Sequence, residues 1–364
     1  MNFCAVICEF NPFHNGHAKI IAKAKELTGL PVLCLMSGDF CQRGEPAILN
    51  KKLRAQHAIE AGADVVFQLP VCYSIEGADI FAKGAIEVLK GLPVSHLIFG
   101  SECGDLLVLQ KAKDLLFELE NSQLVKSGLK EGLSFKSAIE KAAAATNPVV
   151  SEVLLRPNNM LAVAYLKALD GSNIVPLTIK REDNFLSTNI TGNLCSASAI
   201  RNAICNKKDV GTAAVPGFVR ADFDKAKDFA KIKEHLFFAL LRSSAKTISE
   251  LPSCGEGLEN RVVKIAHEAN SYDEFVEKAT TKRYNKMRIA RLVLENFLGT
   301  TKLQLNEILG NTQTTMLLAK TKELNFDGFF DKKINLILKK SDRKKYQNQL
   351  SLQKDILAEL LYSR

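Results

Sequence analysis

Several kinds of chemistry are missing from this chain. No apolar run approaches the roughly 20 residues of a membrane-spanning helix, so no membrane partner is expected. The first residues pass directly into an apolar run with no charged segment before it, which predicts no secretory signal. The nine cysteines, at 4, 8, 34, 41, 72, 103, 195, 205 and 254, contain no C-x-x-C pair, and most sit in apolar runs. They read as reduced, packed thiols of a cytoplasmic protein. Cys41 and Cys103 fall near candidate site loops, where packing is still the preferred role. No histidine has the Cys, His or Asp neighbours of a zinc site, and no Ser-His-Asp or Cys-His arrangement marks a nucleophile. No dedicated carboxylate cage for a metal is visible, and there is no internal repeat or low-complexity segment. What is present is a chain of 364 residues, 46% hydrophobic and 24% charged, which is the balance of a folded protein too long for one ordinary core.

Apolar runs bounded by turn signals predict strands over residues 3–8, 31–36, 63–69, 96–99 and 174–179. Helical spacing predicts helices beginning at Ala18 and over 50–61, 76–89, 106–120, 134–145 and 158–169. Strands alternating with helices imply an α/β fold with a doubly wound parallel sheet. From Ala221 onward no strand alternation is evident, and residues 232–241, 258–269, 272–279, 285–298 and the terminal segments read mostly as helices. Two domains are therefore expected, 1–210 catalytic and 211–364 mainly helical. The net charge of +9 divides unevenly, +1 over 1–210 and +8 over 211–364. A neutral half joined to a basic half points to a polyanionic partner for the second, although many basic faces are merely solvated.

The most informative stretch follows the first strand, where His14-Asn15-Gly16-His17 forms a turn into a helix. A helix N-terminus offers unpaired N–H groups and a positive dipole end to a phosphate, and Gly16 lets the backbone come close to a ligand. His14 and His17, three apart, can lean toward one anion. A single histidine is more often a satisfied polar side chain, but two flanking a glycine at such a turn point to a site.

Ligands of doubly wound sheets bind beyond the carboxyl ends of the strands, and the other polar signals fall there. Ser37-Gly38-Asp39 and Gln42-Arg43 follow the second strand, as a polar site loop whose Arg43 can pair with a carboxylate or a phosphate or as a plain surface loop. Gly100-Ser101-Glu102 follows the fourth, Asn158 and Asn159 open a helix, and Arg181 follows the last strand. Ser196 and Ser198 begin a helix with Arg201 one turn in, an arrangement able to hold a polyphosphate. In the second half Lys282, Arg283, Lys286 and Arg288 surround Tyr284, which fits phosphate binding with base stacking or a solvated helix face. The stretch from Lys332 to Lys345 reads as a solvated basic face.

His14 to His17 resembles the His-X-Gly-His signature of the nucleotidylyltransferase superfamily, and Ser196 to Arg201 its second signature, Ser-X-Ser/Thr-X-Ile-Arg. The longer string Glu9-Phe10-Asn11-Pro12-Phe13-His14-Asn15-Gly16-His17 is similar to that of the bacterial tRNA(Met) cytidine acetate ligases. Ser37-Gly38-Asp39-Phe40, the Gln42 to Ala47 segment, Glu256 to Arg261 and Thr281 to Tyr284 extend the likeness along nearly the whole chain. The resemblance implies activation of acetate by ATP to acetyl-AMP and pyrophosphate. Acetyl transfer then follows to the N4 amine of the wobble cytidine of elongator tRNA(Met), giving N4-acetylcytidine. Magnesium would accompany the ATP, and no stable protein partner is indicated. The resemblance implies ATP contacts at Ile7, Cys8, Glu9, Phe10, Asn11, Pro12, Phe13, His14, Asn15, Gly16, His17, Ala18, Lys19 and Ile20. It adds Gly100, one of Asn158 and Asn159, and Arg181, and with Ser101 after the fourth strand and Ser196, Ser198 and Arg201 at the helix start these make the expected ATP site. His14, His17 and Arg201 are the expected catalytic groups. Two other readings compete. A small-molecule adenylyltransferase leaves the basic half without a purpose, and a noncatalytic RNA-binding protein leaves the two histidines without one.

Overall fold

The computed structural model describes residues 2–133, 135–181, 196–208, 210, 214–255, 257–325 and 333–364. The expectations that touch Ser134, Cys195, Glu256 and Lys332 lie outside them. Strand β1 (Phe3–Cys8) leads into α1 (Asn15–Thr28), β2 (Val32–Ser37), α2 (Lys51–Glu60), β3 (Val65–Leu69), α3 (Val71–Ser74), α4 (Ala78–Lys90) and β4 (Val94–Ser101). Helices α5 (Leu106–Glu120), α6 (Gln123–Lys130), α7 (Phe135–Thr146), α8 (Pro148–Leu154) and α9 (Pro157–Ala168) precede β5 (Val175–Lys180) and α10 (Ala197–Cys205). Then come α11 (Gly217–Arg220), α12 (Ala230–Leu241), α13 (Ala245–Ser249), α14 (Leu258–Glu268), α15 (Tyr272–Ala279), α16 (Lys286–Leu298) and α17 (Lys302–Gly310). The chain ends with β6 (Thr314–Lys320), β7 (Asn335–Ile337) and α18 (Leu350–Tyr362).

The strands form one sheet in the order β5-β4-β1-β2-β3-β6-β7. Strands β1 to β5 run parallel. The chain winds outward from β1 through β2 to β3, then crosses to the other side of β1 to make β4 and β5. The order therefore reverses between β1 and β4, and the crevice beyond their carboxyl ends is where a doubly wound sheet takes its ligand.

One expectation is corrected. The second half is mainly helical, but it is not free of strands: β6 pairs antiparallel with β3, and β7 parallel with β6. The apolar run Met316-Leu317-Leu318-Ala319 is too short for periodicity to separate a strand from a helix end. The open edge of β3 decides the matter by offering it a ladder.

Alternate residues of each strand enter opposite cores, as a period of two requires. Phe3, Ala5, Leu33, Leu35, Val65 and Phe67 face α4, α5 and α9. Cys4, Val6, Val32, Cys34, Met36 and Val66 face α1, α2 and α10. A third core joins α12 to α16 with α18, and reaches Phe40, Val71 and Ile75 beside the sheet. Side chains start the key helices at defined places. Asn50 accepts from the N–H groups of Lys52 and Leu53, and Asp105 from those of Leu107 and Val108.

Candidate active site

Beyond the ends of β1 and β4 lies a cavity of about 280 Å³. Its floor is apolar, with Val6, Ile98, Phe99, Phe81, Leu161 and Tyr165, and its rim is polar. The turn that shapes it is anchored by aromatics. Phe10, with a φ of 48°, holds a left-handed conformation uncommon for a non-glycine residue. Its ring packs edge-on against Phe13 at 4.8 Å, and both are buried. Asn11 ties the turn to the next loop, accepting from the Ile48 N–H at 2.8 Å and donating to the Cys41 Sγ at 3.4 Å.

The two histidines cap α1 reciprocally. The Gly16 N–H donates to His14 Nδ1 at 3.1 Å, and the His14 N–H donates to His17 Nδ1 at 3.2 Å. Each ring thus spends its acceptor nitrogen on the backbone, which fixes its proton on Nε2 as a donor. The rings stack with centroids 3.6 Å apart. Burial first, and then the neighbouring His14 and Arg181, holds the His17 imidazole well below its usual range. At neutral pH it is an uncharged N–H donor. Gly16 is required here, since a Cβ would stand 2.9 Å from His14 Cε1.

Three arginines face this donor pair across the cavity. Arg201 donates to the Asn11 carbonyl at 2.6 Å and to Ser198 Oγ at 3.1 Å, pinning the start of α10 to the turn. Ser196 caps α10 through the Ala199 N–H. Arg181 donates to Asn158 Oδ1 at 3.2 Å, and its stem lies against Gly100, where a Cβ would come within 2.9 Å of Arg181 Cγ. Arg43 lines the rim with Gln42. The lining therefore carries Arg43, Arg181 and Arg201 against a single carboxylate, Glu9, among the described residues. A nucleoside polyphosphate has the complementary charge.

Not every expected residue reaches the cavity. Pro12 and Phe13 are buried behind the turn, while Asn15, Gly16, Ala18 and Lys19 build α1 without lining the space. Ser101 is buried and bonded to Thr178 and to the Gly104 N–H. Asn158 lines the cavity, whereas Asn159 turns inward, accepting from the Glu102 and Cys103 N–H groups and donating to the Val153 carbonyl. Ser37, Gly38 and Asp39 are structural in position. Arg54, fully buried on α2, donates to the Ser37, Gly38, Glu9 and Leu49 carbonyls, and Asp39 pairs with Lys51 at 3.3 Å. Cys41 is buried and its thiol pushed up by desolvation, so it is a packed residue.

Sequence reasoning missed two supports. In sequence Arg54 is one of several basic residues of the 50–61 helix, yet it braces β1 against the next loop. Glu102 caps α9, accepting from the Asn158 and Asn159 N–H groups. The only signal for it was its place just after a strand.

On the second half, Lys282, Arg283 and Lys286 are exposed at the start of α16. Tyr284 corrects the expectation of an exposed stacking ring. It is buried in the helical core, covered by the Arg288 and Arg283 guanidinium groups at 5.4 and 5.9 Å. Arg288 also donates to the Ser253 carbonyl at 2.8 Å. One turn further along α16, Arg291 donates to the Gln42 carbonyl at 3.3 Å. The basic turn is thus one helical turn from the rim of the cavity.

The whole chain, residues 1–364, matches the family model described as HIGH Nucleotidyl Transferase. A tRNA(Met) cytidine acetate ligase of Acetivibrio thermocellus is 35% identical, over 94% of this chain and 89% of that one. One from a Thermoanaerobacter species is 34% identical, over 100% and 95%. Among solved structures, Thermotoga maritima TmcAL in its apo form superposes with a TM-score of 0.89 at 28% identity, covering 100% of this chain and 96% of that one. The same protein bound with alpha-thio ATP gives 0.86 at 28% identity, over 100% and 95%.

Proposed function

Given that the chain belongs to the HIGH nucleotidyl transferase family, we infer that it is an ATP-dependent tRNA(Met) cytidine acetate ligase. It converts acetate and ATP to acetyl-AMP and pyrophosphate. It then passes the acetyl group to the N4 amine of the wobble cytidine of elongator tRNA(Met). The observation that carries this reading is the pair of histidine Nε2–H donors at the mouth of α1, facing Arg181 and Arg201 at the point where the sheet order reverses.

Attack of an acetate oxygen on the α-phosphorus needs no protein nucleophile. It needs the two substrates aligned and the charge growing on the phosphate oxygens met by fixed donors. His14 and His17 supply neutral donors, and Arg181 and Arg201 supply positive charge. Asn158, Gly100 and the lining residues of the Ile7 to Ile20 segment bind the nucleotide, and Gln42 and Arg43 close the acetate side. Magnesium belongs to this proposal as a companion of the phosphates, since the described residues lining the cavity carry one carboxylate and no cluster of them. In the second step Lys282, Arg283 and Lys286 hold tRNA phosphates. Residues 1–210 thus carry the ATP chemistry and 211–364 the tRNA grip, in a cytoplasmic enzyme.

Incubation with ATP, labelled acetate and total tRNA, followed by nucleoside mass spectrometry, tests the reading. Labelled N4-acetylcytidine in elongator tRNA(Met) is expected. Pyrophosphate release that is independent of acetate, with no tRNA label, would refute it.

A further inference from the structure

Acetyl transfer to an exocyclic amine releases a proton, and the ligase reading leaves that proton without a destination. The cytosine amine shares its lone pair with the ring and is a weak nucleophile. As it bonds to the acetyl carbon its nitrogen becomes positive, so a base placed nearby lowers the barrier.

Most polar groups of the cavity cannot serve. Arg43, Arg181 and Arg201 are permanent cations with no acceptor. His14 and His17 each use their one acceptor nitrogen on a backbone N–H. The Cys8 thiol and the Tyr165 phenol are both pushed up by burial and hold their protons. Glu9 remains, the single carboxylate lining the cavity among the described residues. It stands just past the end of β1, at the sheet's reversal point. Its Oε1 is fixed by the Gln42 N–H at 2.6 Å, and Oε2 accepts no hydrogen bond among the described residues. A negative charge in a cavity suited to a polyanion is unfavourable for binding alone, which argues that it has another task.

We propose that Glu9 is the general base of acetyl transfer, its Oε2 taking a proton from the cytidine N4 as that nitrogen attacks the acetyl carbon. The N4–C bond forms, the C–O bond to the adenylate phosphate breaks, and AMP leaves with the bonding pair. The second N4 proton stays in the product, and Glu9 later gives its proton to water. Burial raises the Glu9 carboxyl, against the pull of the Gln42 N–H, Arg201, Arg54 and Arg43. That brings its basicity toward the range where a general base is effective at neutral pH. The rival is a non-bridging oxygen of the acyl phosphate taking the proton itself.

The proposal rests on the ligase reading, and the test separates the two. Synthetic acetyl-AMP and tRNA, both saturating and without ATP or acetate, are given to wild-type, Glu9→Gln and Glu9→Ala enzyme in single turnover. Glutamine keeps the shape and the acceptor for the Gln42 N–H but not the basicity. Glu9→Gln is expected to transfer on the order of 100-fold more slowly. Formate, small enough for the space left by alanine, is expected to restore transfer in Glu9→Ala and to leave Glu9→Gln slow. Transfer by Glu9→Gln within about threefold of wild type would overturn the assignment in favour of the phosphate oxygen. Loss cured simply by more acetyl-AMP would overturn it too, making Glu9 a binding group. Wild-type enzyme that leaves tRNA unacetylated would overturn the ligase reading, and this proposal with it.

Discussion

His14 and His17 look equivalent in sequence but differ in what they support. His14 occupies the N-cap of α1, and its side chain satisfies a helix-end N–H. His17 lies within the first turn. Replacing His14 by alanine is expected to cost about 1 kcal/mol of stability through the lost cap, besides activity. His17→Ala is expected to lower acetate-dependent pyrophosphate release at least about 100-fold with a smaller fall in the melting midpoint. Thermal melts and pyrophosphate assays on both variants check this, and wild-type rates in either would remove the histidines from the mechanism. Arg181 differs again, since it donates to Asn158 at the cavity wall. Arg181→Ala is expected to weaken ATP binding by roughly 10-fold or more, as loss of a charge-assisted contact does, while tRNA affinity holds. Calorimetry with ATP beside filter binding with tRNA measures both. At this scale the sequence revealed the groups whose pattern is local, such as His14, Gly16 and His17. It concealed Arg54 and Asn159, whose roles depend on carbonyls and N–H groups brought from other elements.

Among the elements, α16 and α18 do the most to hold the rim. Gly44 sits with a φ of +73° against α16, where a Cβ would stand 2.4 Å from the Arg291 nitrogen. Gly44→Ala is expected to destabilise the fold by on the order of 2 kcal/mol and to depress pyrophosphate release by displacing Gln42 and Arg43. Denaturant titration and the pyrophosphate assay test it. Helix α18 plugs the other side, with Tyr362 donating to the Ala47 carbonyl and Asp355 accepting from the Val71 N–H. Burial pushes the Asp355 carboxyl up to about 7. An unfolded aspartate titrates near about 3.9, so between these values the folded state holds a proton the unfolded state has released. The stabilisation is complete below about pH 4 and is lost as pH rises through about 7. Asp355→Asn keeps the acceptor for Val71 and is expected to flatten the fall in unfolding midpoint between about pH 4 and pH 7. Glu295, also raised to about 7 by burial, leaves a residual slope. The five parallel strands and the long helices were legible because apolar runs and turn residues mark them locally. Helices α3, α6 and α8 were not, since each is short and is set by packing on neighbours. Strand β6 was hidden for the same reason: its ladder partner, β3, lies far away in sequence.

Over the whole molecule the net charge is uneven, +1 on residues 1–210 and +8 on 211–364. Lys282, Arg283 and Lys286 are the exposed members of the basic cluster, while Arg288 is partly committed to Ser253 and Tyr284. Replacing the first three by alanine is expected to weaken tRNA binding and flatten its log–log salt slope by about 2, with acetate-dependent pyrophosphate release retained. Binding measured across salt concentrations decides this, and an unchanged slope would make the cluster a solvated face. The return of the chain to its own sheet has a consequence for synthesis. A ribosome delivers β1 to β5 early, yet the outer edge of β3 stays unpaired until Thr314–Lys320 arrives. Until then the nascent chain shows a row of bare N–H and C=O groups on an apolar strand, a template for other chains. Fragments ending before Thr314 should therefore clump with one another, even though they already contain both histidines and all three arginines of the cavity.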